Sequence, residues 1–476
     1  MIINNKDTVN QHYLDITIKR KNAAPGEEMK FSLLNYITSF SITQALSMKS
    51  MFLKATYSDG SGLFDKGFIS VGDEIEITLY VSDEDEFKLI KSFYISELKN
   101  LDQLENTKHK VFDIHAVTAP SYVSSNIFLT KSYKGKCSDI VKDIYTTYLK
   151  LTDSEIEVEE TTGQIEIVFP KTTPTMALQE LTKRAISANL AYQDNLFFSY
   201  ETAKGHKFKC TKAMISNSTI HTYSQYPNKR PTENSDDYFR ILHFEQNEAA
   251  SRKKLVESGV LNNELVSFNF IDRTITSTGF DYSRDKDKTN LLGTFAPFDY
   301  EGLSLQQQEY TTTASSFDKI AHVSYICAEE SYQRYDARIK EPAAKAQLEM
   351  LRQNTITLKV HGNHQIIPGD IIQLIVPAKY LTSDNQFDAR LDGKYLVAGV
   401  RHDVGVGSLF DTIVDLYKDA NEIESENRTS NSDNPKPDSA GKEYRFELTQ
   451  GNGAGAKQFD EFLAANKITI AKGVGG

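Results

Sequence analysis

His361 and His364 stand three apart in HGNHQIIPGDIIQLIVP (His361 to Pro377), and imidazoles are metal-ligand types. A metal site also needs a third or fourth ligand with outer support, and neither HExxH nor a carboxylate at ligand spacing accompanies this pair. At the end of a strand and in a turn, both histidines read as polar surface or interface residues. Arg401–His402–Asp403 has the residue types of an acid–base cluster. Neighbours along a strand point to opposite faces, so His402 does not share a face with both flanking charges. His322 and Cys327, five apart beside helix-prone sequence, read as a chance pair. No GxSxG, SxxK or thiol-enzyme motif marks a nucleophile. GNGAG (Gly451–Gly455) lacks GxGxxG spacing and a strand–turn–helix frame, so it reads as a flexible hinge. With 65 acidic residues, chance carboxylate pairs are certain and single out no glycosidase pair. The sequons Asn217-Ser-Thr and Asn427-Arg-Thr matter only in a secreted chain. The residues therefore point to no catalytic group, no cofactor and no metal.

The bulk chemistry agrees with a structural reading. The 476 residues suffice for two to four domains, with 39% apolar and 25% charged residues. A formal net charge of −11 argues against specific nucleic-acid binding through phosphate neutralisation, although DNA slides past such a surface without sticking. Cys137, Cys210 and Cys327 lie far apart and form no CxxC pair, as expected in a reducing cytoplasm. MIINNKDTVNQHYLD has no apolar signal region, and no run of about 18 apolar residues suggests a membrane span.

These groups must be positioned mostly by strands. Leu14, Ile16 and Ile18 alternate with polar residues, as do Phe52–Tyr57, Ile75–Val81 and Val111–His115. The spacing predicts a small antiparallel barrel or sandwich over 1–117, completed by 206–240. Residues 118–205 read as an inserted α/β domain. In it KCSDIVKDIYTTYLK puts Ile140, Val141, Ile144, Tyr145 and Tyr148 on one helical face, with Ser138 as N-cap. TPTMALQELTKRAISANL follows as a helix, with Leu178, Leu181, Ala185 and Ile186 inward, and LAYQDNLFFSY reads as a hairpin turning at Asp194–Asn195. His221 to Asp237 is a polar loop. A second β unit spans 241–420, with a short helix stopped by Gly259, a strand ELVSFNFIDRTIT and a helical insertion at about 300–353 starting its helix near Pro342. Residues 421–476 form a linker and C-terminal extension.

The two β units repeat one pattern. SVGDEIEITLYVSD (Ser70 to Asp83) and IIPGDIIQLIVPAK (Ile366 to Lys379) each place a Gly-Asp turn before an alternating strand. KSFYISEL then matches GKYLVAGV, and KVFDIHAV matches LFDTIVDLY, with Phe112–Asp113 and Phe410–Asp411 in corresponding places. Glycine supplies the turn's dihedral freedom and aspartate satisfies its donors, so Gly72, Asp73, Gly369, Asp370 and Gly393 are structural barrel-turn residues. The fold class is mainly β with an α+β insertion, containing two tandem antiparallel β-barrels.

The segments FRILHFEQ, SGVLNNELVSFNFIDRTIT, QLEMLRQNTITLKVHGNHQIIPGDIIQLIVP, LDGKYLVAGVRHDV and DTIVDLYKDA occur in an order that resembles the central baseplate hub protein of contractile-tailed bacteriophages. That family is related to the hub portion of type VI secretion spike proteins. SDIVKDIYTTYL and TMALQELTKRAISANLAYQDN look like its inserted domain. The resemblance covers about residues 1–420 and is strongest over Asn354 to Ala420; the tail beyond is an addition. It implies tube-like barrels side by side, and a homotrimer whose six barrels continue the sixfold tail tube while its threefold face receives the central spike. It also implies contact with the tail tube protein and other baseplate subunits, a channel for genome exit, a place in the virion's tail baseplate after assembly in the host cytoplasm, and no enzymatic activity. A tail-tip cell-wall hydrolase and a receptor-binding adhesin are the alternatives, and the doubled Gly-Asp barrel favours the hub over both.

Overall fold

The computed structural model describes residues 2–421 except 5–10, 21–29, 81–87, 104–109, 226–238, 249–261, 282–291, 294–319, 327–340, 378–387 and several stretches of four residues or fewer. Readings on 422–476, Cys327, Asp194–Asn195 and most of the helix before Gly259 lie outside the described residues.

The alternating N-terminal segments form β1 (Ile2–Asn4), β2 (Gln11–Lys19), β3 (Lys30–Ser32), β4 (Ile37–Ala45), β5 (Phe52–Asp59), β6 (Glu74–Tyr80), β7 (Leu89–Gln103) and β8 (Lys110–Thr118). Their order is β1-β2-β6-β7-β8-β5-β4, antiparallel throughout. β3 pairs with the other edge of β2, and the Leu33 amide donates to the Ile16 carbonyl just before the chain enters β4. That segment brings the first and last strands of the ring together. Period 2 turns Leu14, Ile16, Leu53, Ala55, Ile75, Ile77, Phe112 and Ile114 into one buried core, with the intervening positions outward.

A second ring has the same strand order, with the strand that answers β2 running in the opposite direction. It uses β14 (Thr219–Ser224), β15 (Ile241–Glu248), β19 (Asn354–His361), β20 (Ile371–Ile375), β21 (Gly393–Val404) and β22 (Phe410–Lys418). Their order is β14-β20-β21-β22-β19-β15, and a bridge between Ser224 and Arg240, beside the start of β15, closes it. Tyr223, Ile241, Ile356, Leu358, Ile372, Leu374, Val397, Val414 and Leu416 fill its interior. The β14–β20 pair and the closing Ser224–Arg240 bridge are parallel, and the other pairs are antiparallel. The far half of β21 also pairs with β4, so both rings belong to one 14-stranded sheet. The chain is mainly β with an α+β insertion, as its sequence implies.

Between the rings lie α1 (Ala119–Ser124), β9 (Leu129–Gly135), α2 (Cys137–Asp143), β10 (Ile156–Val158), β11 (Ile165–Thr172), α3 (Pro174–Thr182), β12 (Phe197–Thr202), β13 (Gly205–Cys210) and α4 (Thr211–Ile215). Ile140, Val141, Ile144 and Tyr145 enter one core with Leu178 and Leu181. Three local expectations are corrected. Lys136 occupies the N-cap of α2, while Ser138 sits inside the helix with its amide donating to Thr161 Oγ1 at 2.9 Å. α2 also passes into a π turn at Ile144–Tyr148, so the helical face widens. Ala185 and Ile186 are buried but follow α3, and residues 190–192 form a turn rather than the first strand of a hairpin, while β12 pairs with β13 across Ala203–Lys204.

Residues 206–240 do not complete the first ring. β13 belongs to the inserted sheet and β14 to the second ring, because the sixth strand of the first ring comes from the N-terminal β2. ELVSFNFIDRTIT is two strands rather than one, β16 (Asn262–Asn269) and β17 (Thr274–Asp281), joined by β18 (Ile320–Ile326) in a separate sheet. The second insertion therefore begins before residue 300 and is partly β; its helix, α5 (Glu341–Leu351), starts beside Pro342 as expected.

Candidate functional site

The Gly-Asp turns before β6 and β20 make the same bonds. Gly72 has φ +94° and Gly369 φ +89°, a region that a Cβ disfavours. Asp73 Oδ2 accepts from the Ser70 amide at 2.8 Å, and Asp370 Oδ2 from the Ile367 amide at 3.0 Å. Gly72 N–H donates to the Ile95 carbonyl at 2.8 Å and Gly369 N–H to the Val397 carbonyl at 2.9 Å. The return bonds, Ile95 N–H to Asp73 and Val397 N–H to Asp370, are both 2.9 Å. Each carboxylate thus holds its own backbone turn and is buried there. Burial pushes the Asp370 carboxyl up to about 6, against the Ile367 amide and the nearby lysines Lys204, Lys207 and Lys209. Gly393, with φ +121°, opens β21 opposite Leu374.

The likeness extends to irregularities. Ser96 bulges between Ile95 and Glu97 where β7 meets β8, and Ala398 bulges between Val397 and Gly399 where β21 meets β22. Thr38 bulges between Ile37 and Ser39, and Leu242 between Ile241 and His243, at the β4–β5 and β15–β19 contacts. A bulge re-aims a strand at one residue, so two shared bulges align the rings residue by residue. That alignment corrects one reading: Phe410 falls on Lys110, and Phe112 on Thr412. The Phe-Asp pairs are displaced by two, an even shift that keeps their faces.

The displaced phenylalanine serves the seam between the rings. There β21 runs antiparallel to β4, from Gly399 beside Ala45 to Val404 beside Phe40. Phe410 and Val404, from second-ring strands, complete the first ring's core. Gly362 makes room, since a Cβ there would lie 1.9 Å from the Phe410 ring. His402 turns into this buried zone, its Nδ1 3.1 Å from Thr412 Oγ1, while Arg401 Nε donates to both Asp403 oxygens at 3.0 Å on the opposite face. The suspected acid–base cluster is split by strand geometry. His361 and His364 are buried rather than surface residues. The loop holding them is drawn inward by Asn363, whose amide donates to Thr412 Oγ1 at 2.8 Å and whose Nδ2 donates to Tyr223 Oη at 3.2 Å.

The insertion touches both turns. A Cβ on Gly72 would meet Tyr122 Oη at 3.4 Å, and one on Gly369 would meet Tyr200 Oη at 2.5 Å. Glu201, on β12, docks into the first ring: it accepts from the Met51 amide at 3.1 Å and from Thr118 Oγ1 at 2.5 Å. Lys91 lies 3.7 Å and His206 3.5 Å from its other oxygen, and burial holds His206 below its usual pKa. Gln44, within the seam, accepts from the Ala203 amide and donates to the Ile366 carbonyl. Buried Lys418 donates to the Arg390 and Asp392 carbonyls. Sequence reasoning missed all three. For Glu201 the one available signal was a charge within the apolar run LFFSYET.

No protein-family model matches the chain. No curated protein matches it in sequence either. Among solved structures, it is similar to the tail protein from Neisseria meningitidis MC58 over 86% of this chain and 97% of that one, with 9% identity and a TM-score of 0.50. It is similar to the 43 kDa tail protein of prophage MuSo2 from Shewanella oneidensis over 86% of this chain and 100% of that one, with 10% identity and a TM-score of 0.50. A looser likeness, at a TM-score of 0.38 and 8% identity over 80% of this chain and 73% of that one, is to an E. coli type VI secretion component. The chain thus has the fold of phage tail proteins, as the resemblance carried by its second ring implies.

Proposed function

We propose that this chain is a structural hub of a contractile phage tail, a homotrimer joining the sixfold tail tube to the threefold central spike and lining the channel through which the genome leaves. One observation carries the reading: a single chain holds two six-stranded rings with the same strand order, two bulges at equivalent places and the same Gly-Asp turn bonds. Three such chains around one axis supply six similar barrels, which matches a sixfold neighbour on one face while keeping threefold symmetry on the other. The doubled turns are duplicated structural sites, Gly72 and Asp73 answering Gly369 and Asp370. The Asp73 and Asp370 carboxylates are engaged with backbone amides of their own turns, which supports a mechanical role over a hydrolytic one. The net charge of −11 suits a conduit past which DNA slides without being held.

Native mass measurement of the full chain, alone and mixed with the cognate spike and tube proteins, tests this. A trimer is expected alone or on adding the spike. A stable dimer or hexamer in solution and in assembled particles refutes it.

A further inference from the structure

Each ring leaves two lengths of backbone edge that it does not use. One is the far half of its longest strand, Glu97–Gln103 of β7 or Gly399–Val404 of β21. The other is the C-terminal part of the strand that begins with the Thr38 or Leu242 bulge, Phe40–Ala45 of β4 or Phe244–Glu248 of β15. Inside the chain these edges meet once, where β21 runs along β4. The equivalent two, β7 from Glu97 onward and β15 from Phe244 onward, have no strand on their outer side among the described residues.

We propose that these two edges pair with each other between chains, β7 of one copy lying antiparallel along β15 of the next. The proposal rests on the trimeric hub reading and names its interface. The occupant of each edge is a second copy because the complementary edge is already seen at work: the internal seam is the same two strands, one ring later. The alignment carries the pair His402–Ile42 of the seam onto Asn100 of one copy and Gln246 of its neighbour, each the last residue before a bulge that β21 and β4 lack. An uncovered edge is a row of unpaired amides and carbonyls, a template for another strand. The exposed side chains described beside these edges are polar apart from Leu242, with Glu97 and Lys99 on β7 and His243, Glu245 and Gln246 on β15. That suits an interface assembled from soluble subunits better than an obligate apolar one. The pairing is heterologous, so it closes only at the number of chains that completes the ring.

The test uses the full chain carrying Asn100→Cys and Gln246→Cys together, oxidised and run without reductant. Covalent dimers progressing to a closed trimer, with each single variant staying monomeric on the gel, is the expected result. Native mass of the same samples separates the two ideas. A trimer with no cross-link overturns the strand pairing and leaves the hub reading intact, whereas a chain that remains monomeric with or without spike overturns both. A ladder running past three overturns the closed ring. Amide exchange on the unmodified chain guards against a misfolded variant: residues 98–100 and 244–248 are expected to exchange at least about tenfold more slowly in the trimer than in dilute monomer. Equal exchange in the two states refutes the pairing.

Discussion

Replacing each turn glycine by alanine separates backbone strain from crowding, because the two turns share a conformation and differ in what covers them. At φ +94° and +89° an L-side chain is strained by roughly 1–2 kcal/mol. For Gly72→Ala that is nearly the whole effect, since the new methyl meets only Tyr122 Oη at 3.4 Å. Gly369→Ala adds a clash: its methyl would lie 2.5 Å from Tyr200 Oη and 3.1 Å from Met214 Sδ. Tyr200 is 1% exposed and cannot swing aside freely, so overpacking adds about 1–3 kcal/mol. The expected losses are about 1–2 kcal/mol for Gly72→Ala and about 2–5 kcal/mol for Gly369→Ala. Adding Tyr200→Phe to Gly369→Ala removes the clashing oxygen and should restore part of the difference, although it also removes the Tyr200–Met214 contact at 3.4 Å. The chain has no tryptophan, so urea unfolding is best followed by circular dichroism, comparing midpoints among wild type and the three variants. Equal losses at the two glycines, or no rescue by Tyr200→Phe, would show that Tyr200 does not press on the second turn. No loss at Gly72 would remove the left-handed turn itself.

Three further outcomes follow from the packing. Glu201→Ala leaves the buried Met51 amide and Thr118 hydroxyl without their acceptor and should lower stability by about 2–4 kcal/mol in the same unfolding assay; a loss under about 0.5 kcal/mol would deny that this carboxylate docks the insertion. The folded chain takes up the Asp370 proton near pH 6 and the unfolded chain near 3.8, so this group's contribution is greatest below about pH 4 and is lost as the pH rises through 6. Asp370→Asn keeps an acceptor for Ile367 and removes the titration; relative to it, wild type should lose stability between pH 4 and 7, and parallel pH profiles would contradict the assignment. A chain ending after Glu426, where the compact unit ends, should keep its melting temperature. One ending after Lys418 should not, because it loses the Asp419 carboxylate that accepts from the Leu292 amide and the buried Ala420 and Asn421.

Much of the fold was legible because it rests on period 2 and on turn chemistry. Leu14, Ile16 and Ile18 alternate whatever their neighbours are, and a Gly-Asp before an alternating run announces a left-handed turn closed by a carboxylate. The ring partners were less legible. Thr219–Ser224 has no local mark that sends it to β20 rather than to the first ring; that choice depends on where the insertion delivers the chain. The bulges at Ser96 and Ala398, which align the two rings, occur at residues with no turn signature. Without them the Phe-Asp pairs looked equivalent, and only the ladders reveal the two-residue shift. Buried polar residues were the hardest to read. His361, His364 and Glu201 look like surface chemistry in sequence, and their burial follows from contacts more than 80 residues away, such as Asn363 with Tyr223 and Glu201 with Thr118.

The differences between the two rings are as informative as their likeness. From β6 through β8 and from β20 through β22 the walls match in strand order, direction and the Ser96 and Ala398 bulges, as a ring of near-equivalent barrels requires, and β7 adds one bulge after Asn100. The rings part company in their insertions. The first ring passes from β4 to β5 by a short turn, whereas the second interrupts the equivalent step, β15 to β19, with the β16–β17–β18 sheet and α5. The α/β insertion leaves after β8, and no counterpart among the described residues follows β22. Under the hub reading, near-sixfold information resides in the ring walls and threefold information in whatever occurs once per chain. The insertions occur once, and the first of them, through Tyr122, Tyr200 and Glu201, presses on both turns and on the first ring. A threefold partner gripping the insertions would then bear on the turns that set where β6 and β20 begin. By the same logic a sixfold partner needs only the repeated edges, and the seam between β4 and β21 shows how such edges bond.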